Sequence, residues 1–163
     1  MKSALPKLTL NNATGQRLVG VFEGHGEPLV DGQLPDGRGR HIAILAHGVG
    51  VTKNYCFFPT LAKRLPCASV RFDFRGAGES DGKFTYDGYS SDADDIKTII
   101  AHLRSRNWKP LALMGHSRGA NDILLYAQNN PYDVRFVVNI SGRYLLRYLL
   151  NDFESQMNLL KDQ

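Results

Sequence analysis

Five consecutive residues, Gly115-His116-Ser117-Arg118-Gly119, place a serine between two glycines in a G-x-S-x-G pattern. A serine hydroxyl can attack an acyl carbonyl when a sharp turn exposes it and small flanking residues let neighbouring backbone come close. The flanks fit that setting. Residues 111–114 form an apolar run with strand character, and Ala120, Ile123, Leu124 and Ala127 recur at helical spacing after the turn. Strand, turn and helix would set the Ser117 hydroxyl at the C-terminal edge of a sheet. Capping of the helix by the same serine would not require glycines at both offsets. Ser117 is therefore the candidate nucleophile.

Attack on a carbonyl leaves negative charge on its oxygen, and preorganised N–H donors stabilise it by roughly 2.7–4 kcal/mol each. A second glycine-bearing turn, His47-Gly48-Val49-Gly50, closes the apolar run at residues 42–46 and would reach the same sheet edge. The backbone N–H groups of Val49 and Arg118 are the candidate oxyanion donors.

The elements that must position these groups follow from periodicity. Residues 8–11 and 17–23 flank Ala13-Thr14-Gly15 as a β-hairpin, a better account of the basic N-terminal stretch than a transit peptide. Strands are expected at 42–46, 68–74, 111–114 and 136–140. Between them lie two further helical stripes, Phe58, Leu61, Ala62 and Leu65, then Ile96, Ile99, Ile100 and Leu103. Asp92, Asp94 and Asp95 at the start of the second stripe, with Arg104 and Arg106 at its end, complement a helix macrodipole. Strands alternating with helices define an α/β fold with a mostly parallel sheet.

Composition narrows the function classes. A chain of 163 residues with 42% hydrophobic content suits one domain. No apolar run approaches the ~18 residues of a membrane span. Basic residues outnumber acidic ones by 20 to 16 but form no stripe, so no nucleic-acid partner is expected. Cys56 and Cys67 match no zinc spacing and read as reduced core thiols, which points to a cytoplasmic location. Gly76-Ala77-Gly78 is followed by Gly82, one place late for a dinucleotide fingerprint, and Asp92, Asp94 and Asp95 lack the glycine of a calcium loop. No cofactor and no metal are expected.

The run Arg71-Phe72-Asp73-Phe74-Arg75-Gly76-Ala77-Gly78-Glu79-Ser80-Asp81-Gly82 is similar to a D-x-R-G-x-G-x-S segment. With the turn at 47–50 and the turn at 115–119, it makes the chain resemble the α/β-hydrolase superfamily, from about residue 17 to about residue 150. The cinnamoyl and feruloyl esterase-like and serine-aminopeptidase-like enzymes are the most similar branches. Ala120 stands where many relatives carry a second glycine. The resemblance implies a three-layer α/β sandwich that cleaves a small acyl-ester substrate through an acyl-enzyme on Ser117. It also implies a triad in the order Ser, then Asp or Glu, then His.

No histidine follows Ser117. Asp122, Asp133, Asp152, Glu154 and Asp162 do, none where such enzymes place their acid, and His25, His41, His47, His102 and His116 read as structural or surface residues. The chain thus reads as a hydrolase domain lacking its last strands and its triad Asp and His. Alone it is expected to be inactive or very weak, with about 10³–10⁴-fold acceleration over water left from binding and the oxyanion hole. The alternative is a non-catalytic remnant acting as a binding module. The strand at 136–140 would form an apolar edge open to self-association. The stripe of Leu146, Leu149, Leu150, Phe153, Met157 and Leu160 reads as the start of the family's cap region, or as a cover for that edge.

Overall fold

The computed structural model describes residues 7–24 and 26–143; His25 and the stripe at 146–160 lie outside them. In chain order the elements are β1 (Lys7–Asn11), β2 (Arg17–Glu23), β3 (His41–Ala46), α1 (Phe58–Arg64), β4 (Ala68–Phe72), α2 (Tyr89–Ser105), β5 (Lys109–His116), α3 (Arg118–Asn129) and β6 (Phe136–Ile140). The strands lie in the order β1-β2-β4-β3-β5-β6. β3, β4, β5 and β6 run parallel, and the hairpin β1–β2 adds antiparallel to β4.

Side chains alternate across a strand, and on β3 both faces are buried. Ile42, Ile44 and Ala46 share a core with Ile96, Ile99 and Ile100 of α2 and Ile123 of α3. Leu45 points to the opposite face, where Phe58 and Ala62 of α1 cover it. Helices on both faces make the expected three-layer sandwich. From β3 the chain passes to β4 on one side and later to β5 on the other. The carboxyl ends of β3 and β5 therefore flank a topological switch point, where open α/β sheets leave a crevice.

Two expectations need correction. The strand at 68–74 ends at Phe72; Asp73 still gives its N–H to Val19 O of β2 at 2.9 Å, while its carboxylate is committed to the loop after β3. Cys56 is exposed and Cys67 half-buried, so neither is a core thiol. Asp92 does lie in the first turn of α2, and both it and Asp95 are also buried and ion-paired, with Arg118 and Arg75 respectively. Among the described residues β6 forms the sheet edge, with Phe136, Val137 and Val138 exposed, but it is only five residues long.

Asp95 joins three segments. It accepts from Arg75 Nη2 at 2.6 Å, from the Arg75 N–H at 2.9 Å and from Asn12 Nδ2 of the hairpin turn at 3.1 Å. Removing one partner of a buried pair leaves the other charge uncompensated. Asp95→Ala is expected to cost about 3–5 kcal/mol in urea denaturation; a loss under about 1 kcal/mol would show that the network does not hold the hairpin to α2.

Candidate active site

β5 runs into α3 with Ser117 as the single residue between them, at φ 54° and ψ −118°. A non-glycine residue there carries about 1–3 kcal/mol of strain and persists only where its surroundings enforce it. The enforcement is steric. A Cβ on Gly115 would lie 2.3 Å from Gly119 O, and one on Gly119 would lie 2.3 Å from Ala46 O and 2.4 Å from His47 O. The Ser117 N–H is held by Ile140 O at 2.9 Å, tying the turn to the end of β6. Ser117 occupies the N-cap position of α3, yet its side chain makes no capping hydrogen bond. Its hydroxyl is not spent on the helix.

The turn after β3 lies directly against this serine, since a Cβ on Gly48 would stand 3.1 Å from the Ser117 Cβ. Two buried side chains fix that turn. His47 Nε2 accepts the Phe74 N–H at 3.1 Å while Nδ1 donates to Gly48 O at 2.7 Å. Those partners require the neutral ring, and burial accordingly pushes the His47 pKa down. Asp73 accepts the Lys53 N–H at 2.7 Å, the Glu79 N–H at 3.0 Å and the Lys53 ammonium, which also reaches Glu79 at 2.9 Å. Lys53 and Asp73 are both buried. Between these anchors the Val49 N–H meets no acceptor among the described residues. The Arg118 N–H opens α3, where a helix leaves its first donors without intrahelical partners.

Val49, Ser117 and Arg118 border one pocket, completed by Tyr86, Tyr89, Asn121 and Arg143. The Arg118 guanidinium does not serve as a loose cation there. Nε donates to Asp92 at 2.8 Å, Nη1 donates to Tyr86 O at 2.9 Å, and the group lies 4.4 Å from the Tyr89 ring centroid. Burial nevertheless outweighs Arg118 and pushes Asp92 up to about 6. One helical turn beyond Arg118, Asp122 is fully buried and neither carboxyl oxygen has a hydrogen-bond partner among the described residues. Burial, aided by the Asp92 charge, pushes Asp122 up to about 9.

The structure brings Ser117, Val49 and Arg118 together and leaves the other candidates apart. His41 is exposed. The His116 ring packs on Tyr55 and Phe57, and His102 lies on α2. Asp133 binds Tyr126 and Arg104, while Asp152, Glu154 and Asp162 lie outside the described residues. No cluster of metal-ligating side chains occurs among the described residues. Tyr86, Tyr89, Asn121 and Arg143 carry no motif, and Asp92 meets Arg118 only because α2 packs on α3. No sequence signal would have found them.

A three-layer, mostly parallel sheet with a strained serine between strand and helix is the architecture of an α/β hydrolase. Residues 38–160 match the serine aminopeptidase, S33 family, and the chain belongs to it. Curated relatives include the uncharacterized protein YfhR of Salmonella typhi, 31% identical over 86 residues that cover 51% of this chain and 30% of that one. Among solved structures, the Pyrococcus furiosus esterase Pf2001 aligns with a TM-score of 0.66 at 18% identity, over 83% of this chain and 51% of that one. Est1E from Butyrivibrio proteoclasticus, solved with ferulic acid bound, aligns with a TM-score of 0.68 at 18% identity, over 83% and 52%. These likenesses show the fold. The chain spans under a third of the YfhR protein's length and about half the length of Pf2001 and of Est1E.

Asp122 makes stability depend on pH. Between its ordinary value of 3.8 and about 9 the folded state holds a proton that the unfolded state releases, so stability falls as pH rises through that window. The slope from this group is about 1.4 kcal/mol per pH unit. Asp122→Asn is expected to flatten the decline measured by thermal or urea unfolding from pH 5 to pH 8. An unchanged slope would mean that the carboxyl ionises freely in the fold.

Proposed function

We propose that this chain carries the nucleophile half of a serine hydrolase acting on small carboxylic esters. The observation that carries this reading is Ser117, held at φ 54° with its hydroxyl outside any cap bond and bordering the same pocket as Val49 and Arg118. Ser117 Oγ bonds to the acyl carbon, and the N–H groups of Val49 and Arg118 stabilise the oxyanion. Collapse of the tetrahedral species expels the alcohol with a proton and leaves the acyl-enzyme. Water then attacks the acyl carbon, releasing the acid and restoring the Ser117 hydroxyl. Residues 118–163 contain no histidine to take the Oγ proton. Ferulic acid bound to the Butyrivibrio esterase supports a small carboxylic ester as the substrate class. No described helix is long and apolar enough to cross a membrane.

Exogenous imidazole can stand in for the missing base. A fluorophosphonate is expected to label the chain at Ser117 in an imidazole-dependent manner, read by intact mass, and Ser117→Ala is expected to abolish the label. Absence of labelling in both proteins would favour the second reading, a remnant that acts by binding.

That second reading rests on a separate observation, the exposed apolar residues Phe136, Val137 and Val138 on the edge strand β6. An unpaired edge is a template for another strand, here β6 of a second copy. Sedimentation should show concentration-dependent dimers that Val137→Lys converts to monomers. A wild-type chain monomeric throughout the micromolar range would contradict edge pairing.

A further inference from the structure

The pocket beside Ser117 holds one charge that the site does not explain. Of the two cationic side chains on its wall, Arg118 is buried and paired with Asp92. Arg143 is exposed, and no carboxylate or carbonyl pairs with its guanidinium among the described residues. No acidic residue lines the pocket to offset it.

Arg143 is also held in place. The Asn121 side chain on α3 grips its peptide at both ends, Nδ2 donating to Arg143 O at 2.8 Å and Oδ1 accepting the Arg143 N–H at 3.1 Å. The preceding Gly142 N–H is bound by Asn139 Oδ1 at 2.8 Å. Four residues from Ser117, a side-chain amide thus pins the backbone of an arginine that lies 22 positions further along the chain. Burial raises the Tyr89 pKa, with the charges of Arg118 and Arg143 opposing it, so both guanidinium groups act at that ring. The remaining wall offers the apolar surfaces of Val49, Tyr86 and Tyr89.

A guanidinium carried on a pinned backbone, without a partner among the described residues and on the wall of a largely apolar pocket, suits a carboxylate. Its planar fork accepts both carboxylate oxygens, and such charge-assisted pairs are roughly twice as strong as neutral hydrogen bonds. We propose that Arg143 is the specificity residue of this site and selects esters whose acyl group carries a second, free carboxylate. This rests on reading Ser117 as the acyl acceptor, because the pocket that Arg143 borders is the one Ser117 opens into.

The test is a binding measurement, which needs no turnover. Monomethyl adipate and dimethyl adipate differ by one carboxylate, and each is titrated into the 163-residue chain by ligand-observed NMR at low salt. The monoester is expected to bind about tenfold tighter than the diester. Arg143→Gln is expected to bring the two within about twofold of each other, since a neutral side chain loses the charge-assisted pair. Lys63→Gln, which removes an exposed charge on α1 away from the pocket wall, should leave the preference intact. Equal binding of the two esters, binding of neither, or a preference that survives Arg143→Gln overturns the assignment. Ser117 labelling is read separately. Lost preference with labelling intact sinks only this inference, and preference without labelling sinks only the ester-hydrolase reading.

Discussion

The close approach of α3 to the ends of β3 and β5 is the constraint on which the site depends. Gly119 lies so near Ala46 O and His47 O that no side chain fits between them, and Gly115 is equally tight against the first turn of α3. That contact forces the intervening serine out of ordinary backbone space and puts it beside Gly48. The strain is offset by the β3–β5–β6 ladder and by the core under α3, so the most rigid part of the domain bears it. Ser117 and the turn after β3 are thus set by the same packing, not by two loops that happen to meet.

Buried ion pairs extend this rigidity outward. Lys53 and Asp73 tie the turn after β3 to the end of β4, and Asp92 ties Arg118 to α2. A buried pair is a weak source of net stability, since desolvation consumes much of the attraction, but breaking one is costly. Such pairs suit segments that must hold one geometry. Asp122 has no such partner and stands as a local cost beside the functional pocket, as expected where activity rather than stability shapes the packing.

The sheet and helices were legible where apolar periodicity is strong and glycine or proline marks its ends, as at β3, at the turn 115–119 and in the stripe of Ile96, Ile99 and Ile100. Legibility failed where side-chain chemistry sets the boundary. β4 ends at Phe72, and the carboxylate of Asp73 beside it turns onto Lys53, which hydrophobic alternation through Phe74 conceals. Asp92 was legible as a dipole charge in the first turn of α2, but its pairing with Arg118, and that of Asp95 with Arg75, shows only once the topology brings those arginines against them. Cys56 shows the same limit, because its thiol is exposed in a loop at φ 46° that no apolar pattern announces. At the site, motif and sheet edge pointed to Ser117, Val49 and Arg118, which the fold places on one pocket. They did not point to Tyr86, Tyr89 and Arg143, since only folding carries those residues to Ser117.

The central claim is that Ser117 is an acyl acceptor served by two particular backbone donors. The most direct test is a crystal structure of the chain with a phenylboronic acid, whose boron becomes tetrahedral on bonding to a serine oxygen. The account predicts a boron–Oγ bond at Ser117, with one boronate oxygen about 2.7–3.1 Å from the N–H nitrogens of both Val49 and Arg118. A boronate bound elsewhere, or one on Ser117 with that oxygen turned away from those two nitrogens, would contradict it.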